Sequence, residues 1–285
     1  MKKGDTMMNL LVTLDSGYIY PLCTMLRSLA DNNRKECINL YVAHSSLTEQ
    51  DFRQIKFALG NSDSEVYPIK LDDSLFESAP TKSRITKETY YRIFAPLYLP
   101  ESVERILYID PDTVILNSLH SFYSADFGDN LIIGAKHFDG LINVWNKSRL
   151  TMTKSKHYIN AGVMLMNIEK MRGFVTAEKI YKCIKYNYPR LFLADQDAIN
   201  ILFDGKIGTF SEYLINLDER CFKRLLHSMS IEEALEFAQR CTMIVHFNGK
   251  EKPWNSYYGG NLNGFFDMYS KPVLIKETRC LDAGA

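Results

Sequence analysis

The chain has 285 residues, 46% of them hydrophobic, and its 34 Lys and Arg are balanced by 34 Asp and Glu. That length and apolar content suit one large α/β domain, or two small ones, with a full core. A formal charge of zero without long single-sign runs argues against nucleic acid as a partner. No run approaches the roughly 18 uninterrupted apolar residues of a membrane span.

In chain order, Asn9 to Leu14 reads as a short buried strand, although Lys2 and Lys3 ahead of it make the start look superficially like a secretory leader. The turn Asp15-Ser16-Gly17 leads into a helix with Pro21 in its first turn and Leu22, Met25, Leu26 and Leu29 on one face. Ile38 to Ala43 is a strand, Ser46 to Leu59 a capped helix ended by Gly60, and Glu65 to Ile69 another strand, so the chain opens as βαβ units. Thr86 to Leu97 is helical by pattern, and Pro100 stops it before the strand Arg105 to Ile109. Leu131 to Ala135 and Val163 to Asn167 are further strands, the second leading into a helix near Ile168. Residues 137 to 157 show little apolar periodicity and read as an insertion, a lid or an acceptor-facing loop on one reading and a mobile surface loop on the other. No interdomain linker is visible, and the expected division is 1-256 for the main domain and 257-285 for a small appended segment. Six scattered cysteines without Cys-x-x-Cys spacing read as reduced thiols of a cytoplasmic protein. Peripheral contact with the inner face of a membrane stays open.

Chemistry concentrates at a few points. Asp110 and Asp112 stand one residue apart where an apolar strand ends, so both side chains can reach one ion, and Pro111 stiffens the turn between them. A solvated turn is the ordinary alternative. Position favours a metal held against a phosphate, because open α/β sheets bind ligands at the carboxyl ends of their strands. His246 ends a second apolar run, with Gly249 and Lys252 following at intervals of three. A lone His there is more often structural, but Gly249 lets the backbone approach a phosphate and Lys252 brings a compact charge. Two carboxylates and an imidazole suit Mn²⁺, with Mg²⁺ admissible. Asn160 fits hydroxyl recognition or a turn. Asp195 and Gln196 fit a helix N-terminus, which can also present them to a sugar.

In this order the motifs Leu10-Leu11-Val12-Thr13-Leu14-Asp15 with Tyr18, Thr89-Tyr90-Tyr91-Arg92, Leu107-Tyr108-Ile109-Asp110-Pro111-Asp112, Asn160-Ala161-Gly162-Val163, Asp195-Gln196-Asp197 and His246-x-x-Gly249-x-x-Lys252-Pro253-Trp254 resemble glycosyltransferase family 8, the family of glycogenin and the bacterial lipopolysaccharide galactosyltransferases and glucosyltransferases. The resemblance covers most of the chain. It implies an α/β protein with the GT-A fold, a Rossmann-like nucleotide-binding domain with a central mixed sheet flanked by helices. It further implies retaining transfer of a hexose, glucose or galactose, from a UDP-sugar to a saccharide or glycoconjugate acceptor, dependent on Mn²⁺. By the same resemblance Thr13, Asp15 and Tyr18 hold the uridine, and Asp110, Asp112 and His246 the metal. Gly249 and Lys252 would contact the diphosphate, and Arg92, Asn160, Asp195 and Gln196 surround the donor sugar, with Gln196 and Asp195 as the catalytic candidates. Gly17 departs from the polar residue many relatives carry there, and the tail after Trp254 lacks a long basic and aromatic membrane-binding segment. Two other classes compete: a non-catalytic UDP-sugar-binding protein, and a sugar-phosphate nucleotidyltransferase, whose basic glycine-rich loop is missing from Leu14 to Tyr20.

Overall fold

The strands follow one another as β1 (Thr6–Thr13), β2 (Glu36–His44), β3 (Glu65–Lys70), β4 (Arg105–Ile109), β5 (Thr113–Ile115), β6 (Ile132–Lys136), β7 (Ile159–Asn167), β8 (Ile207–Phe210) and β9 (Ile244–His246). The computed structural model describes residues 6–60, 63–71, 90–137, 140–255 and 258–270. Seven strands form one sheet in the order β3-β2-β1-β4-β7-β6-β8, and β5 pairs with β9 in a separate two-stranded ribbon. β3, β2, β1 and β4 run parallel, and β7 alone is antiparallel to its neighbours on both sides. The sheet is therefore mixed, with the chain crossing back over β1 to reach β4. Such a reversal leaves a crevice beyond the carboxyl ends of β1 and β4, where neighbouring connections diverge.

Both faces of the sheet are covered, which is why its strands read as near-continuous apolar runs rather than alternating ones. In β4, Ile106 and Tyr108 enter one hydrophobic cluster while Leu107 and Ile109 enter the other. The helix Ile19–Asn32 buries Leu22, Met25, Leu26 and Leu29, the face its spacing predicts. The helix Glu49–Leu59 starts at a Thr48 and Asp51 capping box and ends at Gly60, whose φ of 63° is left-handed and costs a glycine least. A third cluster joins β5 and β9 to the helix Ile231–Cys241 and to Leu262, Phe265 and Phe266.

Several expectations shift. Of the helix read over Thr86 to Leu97, 86–89 lie outside the described residues; Tyr90 is helical, and turns over 91–94 separate it from the single helical turn Ala95–Tyr98. The stretch read as an irregular insertion contains the helix Gly140–Arg149. Strand β7 begins at Ile159, so Asn160 lies within a strand and not in the turn ahead of one.

Candidate active site

β4 ends at Ile109 and delivers Asp110 into the crevice. Because β7 runs antiparallel beside it, the start of β7 meets the end of β4, and the Asp110 amide donates to the Gly162 carbonyl at 2.7 Å. The ribbon brings the third partner across 134 residues of sequence: Thr113 pairs with His246, and His246 Nε2 lies 3.1 Å from Asp112 Oδ1. One ligand atom each from Asp110, Asp112 and His246 lie within 4.8 Å of one another. The spacing of the two acids and the imidazole, legible only as separate motifs, thus converges in space.

The groups around this cluster set its electrostatics. Asn216 Oδ1 lies 2.7 Å from His246 Nδ1 and accepts its proton, which turns Nε2 toward the carboxylates; there Nε2 donates to Asp112 Oδ1, and on losing that proton it would offer its lone pair to a metal ion. Burial disfavours charge on both Asp112 and His246, but each holds the other: beside His246 and Lys252, Asp112 sits well below the usual carboxylate range, and His246 is raised. Lys252 Nζ donates to Asp112 Oδ2 at 2.6 Å and to the Phe247 carbonyl at 2.7 Å, so one cation already sits at the acid pair. The Tyr108 hydroxyl, kept protonated by burial, donates to Asp110 Oδ1 at 2.6 Å and accepts from Thr13 Oγ1 at 3.0 Å. Gly162 is required by space. A Cβ there would stand 2.3 Å from the His246 ring and 2.6 Å from Asp110 Oδ2. The donor set, oxygens plus one imidazole whose Nε2 is aimed at them, fits a divalent cation of the Mn²⁺ or Mg²⁺ kind.

A cavity of about 820 Å³ opens over the cluster and is lined by Arg92, Asp110, Asp112, Asn160, Asp195, Gln196, His246 and Gly249, among others. Arg92 is largely enclosed, its side chain 12% exposed: Nη1 is 3.0 Å from Asp110 Oδ1, Nε is 3.1 Å from Asp195 Oδ2, and the guanidinium lies 4.5 Å from the Tyr108 ring centre. Burial raises Asp195 to about 6 against the pull of Arg92, because that arginine is shared with Asp110. The helix Ala194–Leu202 serves β7 as a substitute edge strand. Asn200 exchanges two hydrogen bonds with the Ile159 backbone, both 2.9 Å, and Gln196 Oε1 accepts from the Ala161 amide at 3.2 Å and from Asn160 Nδ2 at 3.1 Å. Gln196 Nε2 donates to the Tyr158 hydroxyl at 3.0 Å, which donates onward to Asp197 at 2.6 Å. Arg149 closes this chain with two 2.9 Å bonds to Asp197.

The residues singled out for the uridine, Thr13, Asp15 and Tyr18, are not among those that line this cavity. Asp15 Oδ1 accepts from Gly17 N at 2.8 Å and caps the turn Ser16–Tyr18, and the Tyr18 ring meets Trp254 edge-on at 5.8 Å. Thr13 touches Tyr108, behind Asp110, and does not line the cavity. Sequence reasoning missed Asn216, Tyr158, Asp197 and Arg149, whose roles arise only from packing, and the far cavity wall of His137, Arg220, Lys223 and Tyr258. Burial and the nearby Arg220 push His137 down to about 3, so it stands neutral on that wall.

A crevice at the sheet's switch point, an acid pair with its imidazole, and a helix start that brings Asp195 and Gln196 to the same cavity fit a glycosyltransferase of the GT-A fold. The chain belongs to glycosyl transferase family 8, whose pattern it matches over residues 9–257. It is 28% identical over 263 residues to General stress protein A of Bacillus subtilis, covering 89% of this chain and 90% of that protein. It is 22% identical to the lipopolysaccharide 1,3-galactosyltransferase of Salmonella typhimurium, covering 90% of this chain and 76% of that enzyme. With glycosyltransferase GlyF of Streptococcus pneumoniae the match spans 92% of this chain but 61% of the relative's length, at 23% identity. Among solved structures, the galactosyltransferase LgtC in complex with donor and acceptor sugar analogues superposes with a TM-score of 0.79 at 21% identity, covering 92% of this chain and 95% of that one.

Proposed function

We propose that this glycosyltransferase transfers glucose or galactose from a UDP-sugar to a saccharide or glycoconjugate acceptor with retention of configuration, using Mn²⁺ or Mg²⁺ held by Asp110, Asp112 and His246. The observation that carries the proposal is the convergence of those three ligand atoms within 4.8 Å, at the mouth of a cavity that also exposes Asp195 and Gln196. The matched domain is proposed as 1-256, with 257-285 appended. The described cysteines are free thiols, which supports a cytoplasmic setting.

In this reading Asp15 and Tyr18 take the uridine, with Thr13 supporting Asp110 through Tyr108, and Gly249 and Lys252 face the diphosphate. The cation supplies charge neutralisation to the departing diphosphate when bound. Lys252 contributes to the same stabilisation by moving its charge from Asp112 toward phosphate oxygen. Arg92 orients Asp195, which accepts from sugar hydroxyls, and Asn160 aligns the Gln196 amide. Gln196 is a poor nucleophile here, because its weakly basic Oε1 already accepts two N–H donors. Same-face attack follows: the bond from the anomeric carbon to the β-phosphate oxygen breaks with its electron pair leaving on UDP, the acceptor oxygen bonds the same face, and its proton passes to the departing phosphate.

UDP release from a panel of UDP-sugars tests this without a known acceptor, by slow hydrolysis to water. Release from one donor with Mn²⁺, lost with EDTA and lowered about 10²–10³-fold in Asp112→Ala, is the expected result. UDP binding without release from any donor, with or without added sugars, would instead mark a binding protein.

A further inference from the structure

The helix Gly140–Arg149 is turned inside out. Its apolar residues face water, with Leu141 87%, Val144 61% and Trp145 54% exposed. Its asparagines face the body of the protein: Asn143 Oδ1 accepts from the Tyr158 amide at 2.9 Å, and buried Asn146 accepts from Arg149 at 2.7 Å. The apolar surface continues beyond the helix. Phe192, 64% exposed, meets the Trp145 ring at 6.2 Å, and the Arg149 guanidinium lies over both rings. The next residue, Leu193, is exposed and lines the catalytic cavity. Clusters of large apolar side chains presented this way mark a surface that something covers.

Charge indicates what covers it. The chain as a whole is neutral, yet residues 140–157 contain no Asp or Glu and carry Lys147, Arg149, Lys154 and Lys156. Arg149 is paired with Asp197 and Lys147 donates to the Lys156 carbonyl, which leaves Lys154 and Lys156 exposed on the segment that lies beside the helix and bonds its Asn143. Asp204, the carboxylate behind that segment, is occupied by the backbone amides of Thr153, Lys154 and Ser155. A saccharide would want hydrogen-bonding side chains beside the aromatic rings, and here the asparagines point inward while Leu141, Ile142 and Val144 point out. An apolar face with one tryptophan and a lysine rim has the chemistry of an element seated at the headgroup level of an anionic bilayer.

We propose that the face formed by Leu141, Val144, Trp145 and Phe192 with Lys154 and Lys156 docks the enzyme on an anionic phospholipid surface. Because Leu193 belongs both to this face and to the cavity wall, docking sets the mouth of the catalytic cleft at the lipid surface. The inference stands independently of the donor and metal reading above.

Flotation of the full chain with phosphatidylglycerol-containing vesicles, against phosphatidylcholine vesicles, at low and high salt, tests it. The expected result is capture by the anionic vesicles that weakens with salt and falls about tenfold or more in Leu141→Glu/Val144→Glu and in Lys154→Glu/Lys156→Glu. Melting temperature and UDP release in the absence of lipid stay unchanged, since these side chains are exposed and touch no donor. Failure of the unaltered chain to float, or flotation that survives both double substitutions, overturns the proposal. A concentration-dependent dimer that Leu141→Glu/Val144→Glu abolishes, without flotation, assigns the face to a second copy of the chain and overturns it equally.

Discussion

Two buried arginines grip the same helix start in different ways. Arg92 is shared between Asp110 and Asp195 and lines the open cavity, whereas Arg149 makes a two-pronged fork on Asp197 that Tyr158 and the Leu193 amide complete. Asp195 and Asp197 are two residues apart, and two residues rotate a helix by about 200°, so one acid faces the cleft and the other faces the scaffold. The difference teaches that completeness separates a ligand site from a brace. Where every lone pair is occupied, the pair can only hold the structure together. Where one arginine must serve two carboxylates, an edge of each stays available to substrate, and burial raises Asp195 to about 6.

The sharpest way to break this comparison is to remove each arginine in turn. Arg149→Met strands a fully buried Asp197, and a loss of about 3–5 kcal/mol in urea unfolding is expected. Arg92→Met leaves its carboxylates open to cavity water, so the larger effect falls on turnover, with UDP release down about 10²-fold. Similar stability losses for both would abolish the distinction. Gly162→Ala bears on the cleft side alone. Its methyl group collides with His246 and Asp110, so Mn²⁺ affinity measured by calorimetry should drop about 10–100-fold, and overpacking of the buried strand should cost about 1–3 kcal/mol of stability as well.

Tyr158→Phe sharpens the link between brace and cleft. It removes the hydroxyl between Gln196 and Asp197, costs about 1–2 kcal/mol, and should lower kcat more than it raises KM, because Gln196 loses its orientation but not its reach. The smallest effect concerns Asp218, a third closed carboxylate, which accepts from the Cys221 amide, Asn248 and Arg220. Burial works against its charge, but Arg220 and these donors hold it well below the usual range. Its contribution is therefore fully present above the unfolded value of about 3.9 and is lost as pH falls through the lower folded value. Unfolding followed between neutral pH and strong acid should show a shallower loss in Asp218→Asn than in the unaltered chain.

Much of the cleft was legible because its chemistry is local. Asp110 and Asp112 follow a buried strand, His246 ends another, and Asp195 and Gln196 open a helix, and each of these readings needs only a short window of sequence. The helix Gly140–Arg149 was not legible, because periodicity locates a helix by an apolar stripe that faces a core, and this one turns that stripe to the outside. That Asn160 lies inside a strand was not legible for a related reason. Asparagine is rare in strands, and this one is held in β7 by side chains of a distant helix standing in for a neighbouring strand.

By itself the sequence determined the run of strands and helices, the family, and the residue types available for binding, because propensity, burial period and motif order are properties of neighbouring residues. Only the tertiary structure decided that Asp112 meets His246 across 134 positions, that Gly162 must be bare to let them meet, and that Asp195 serves the cleft while Asp197 braces it. Those outcomes depend on which strand lies beside which and on the rotation of one helix, and neither is encoded within any short window of the chain.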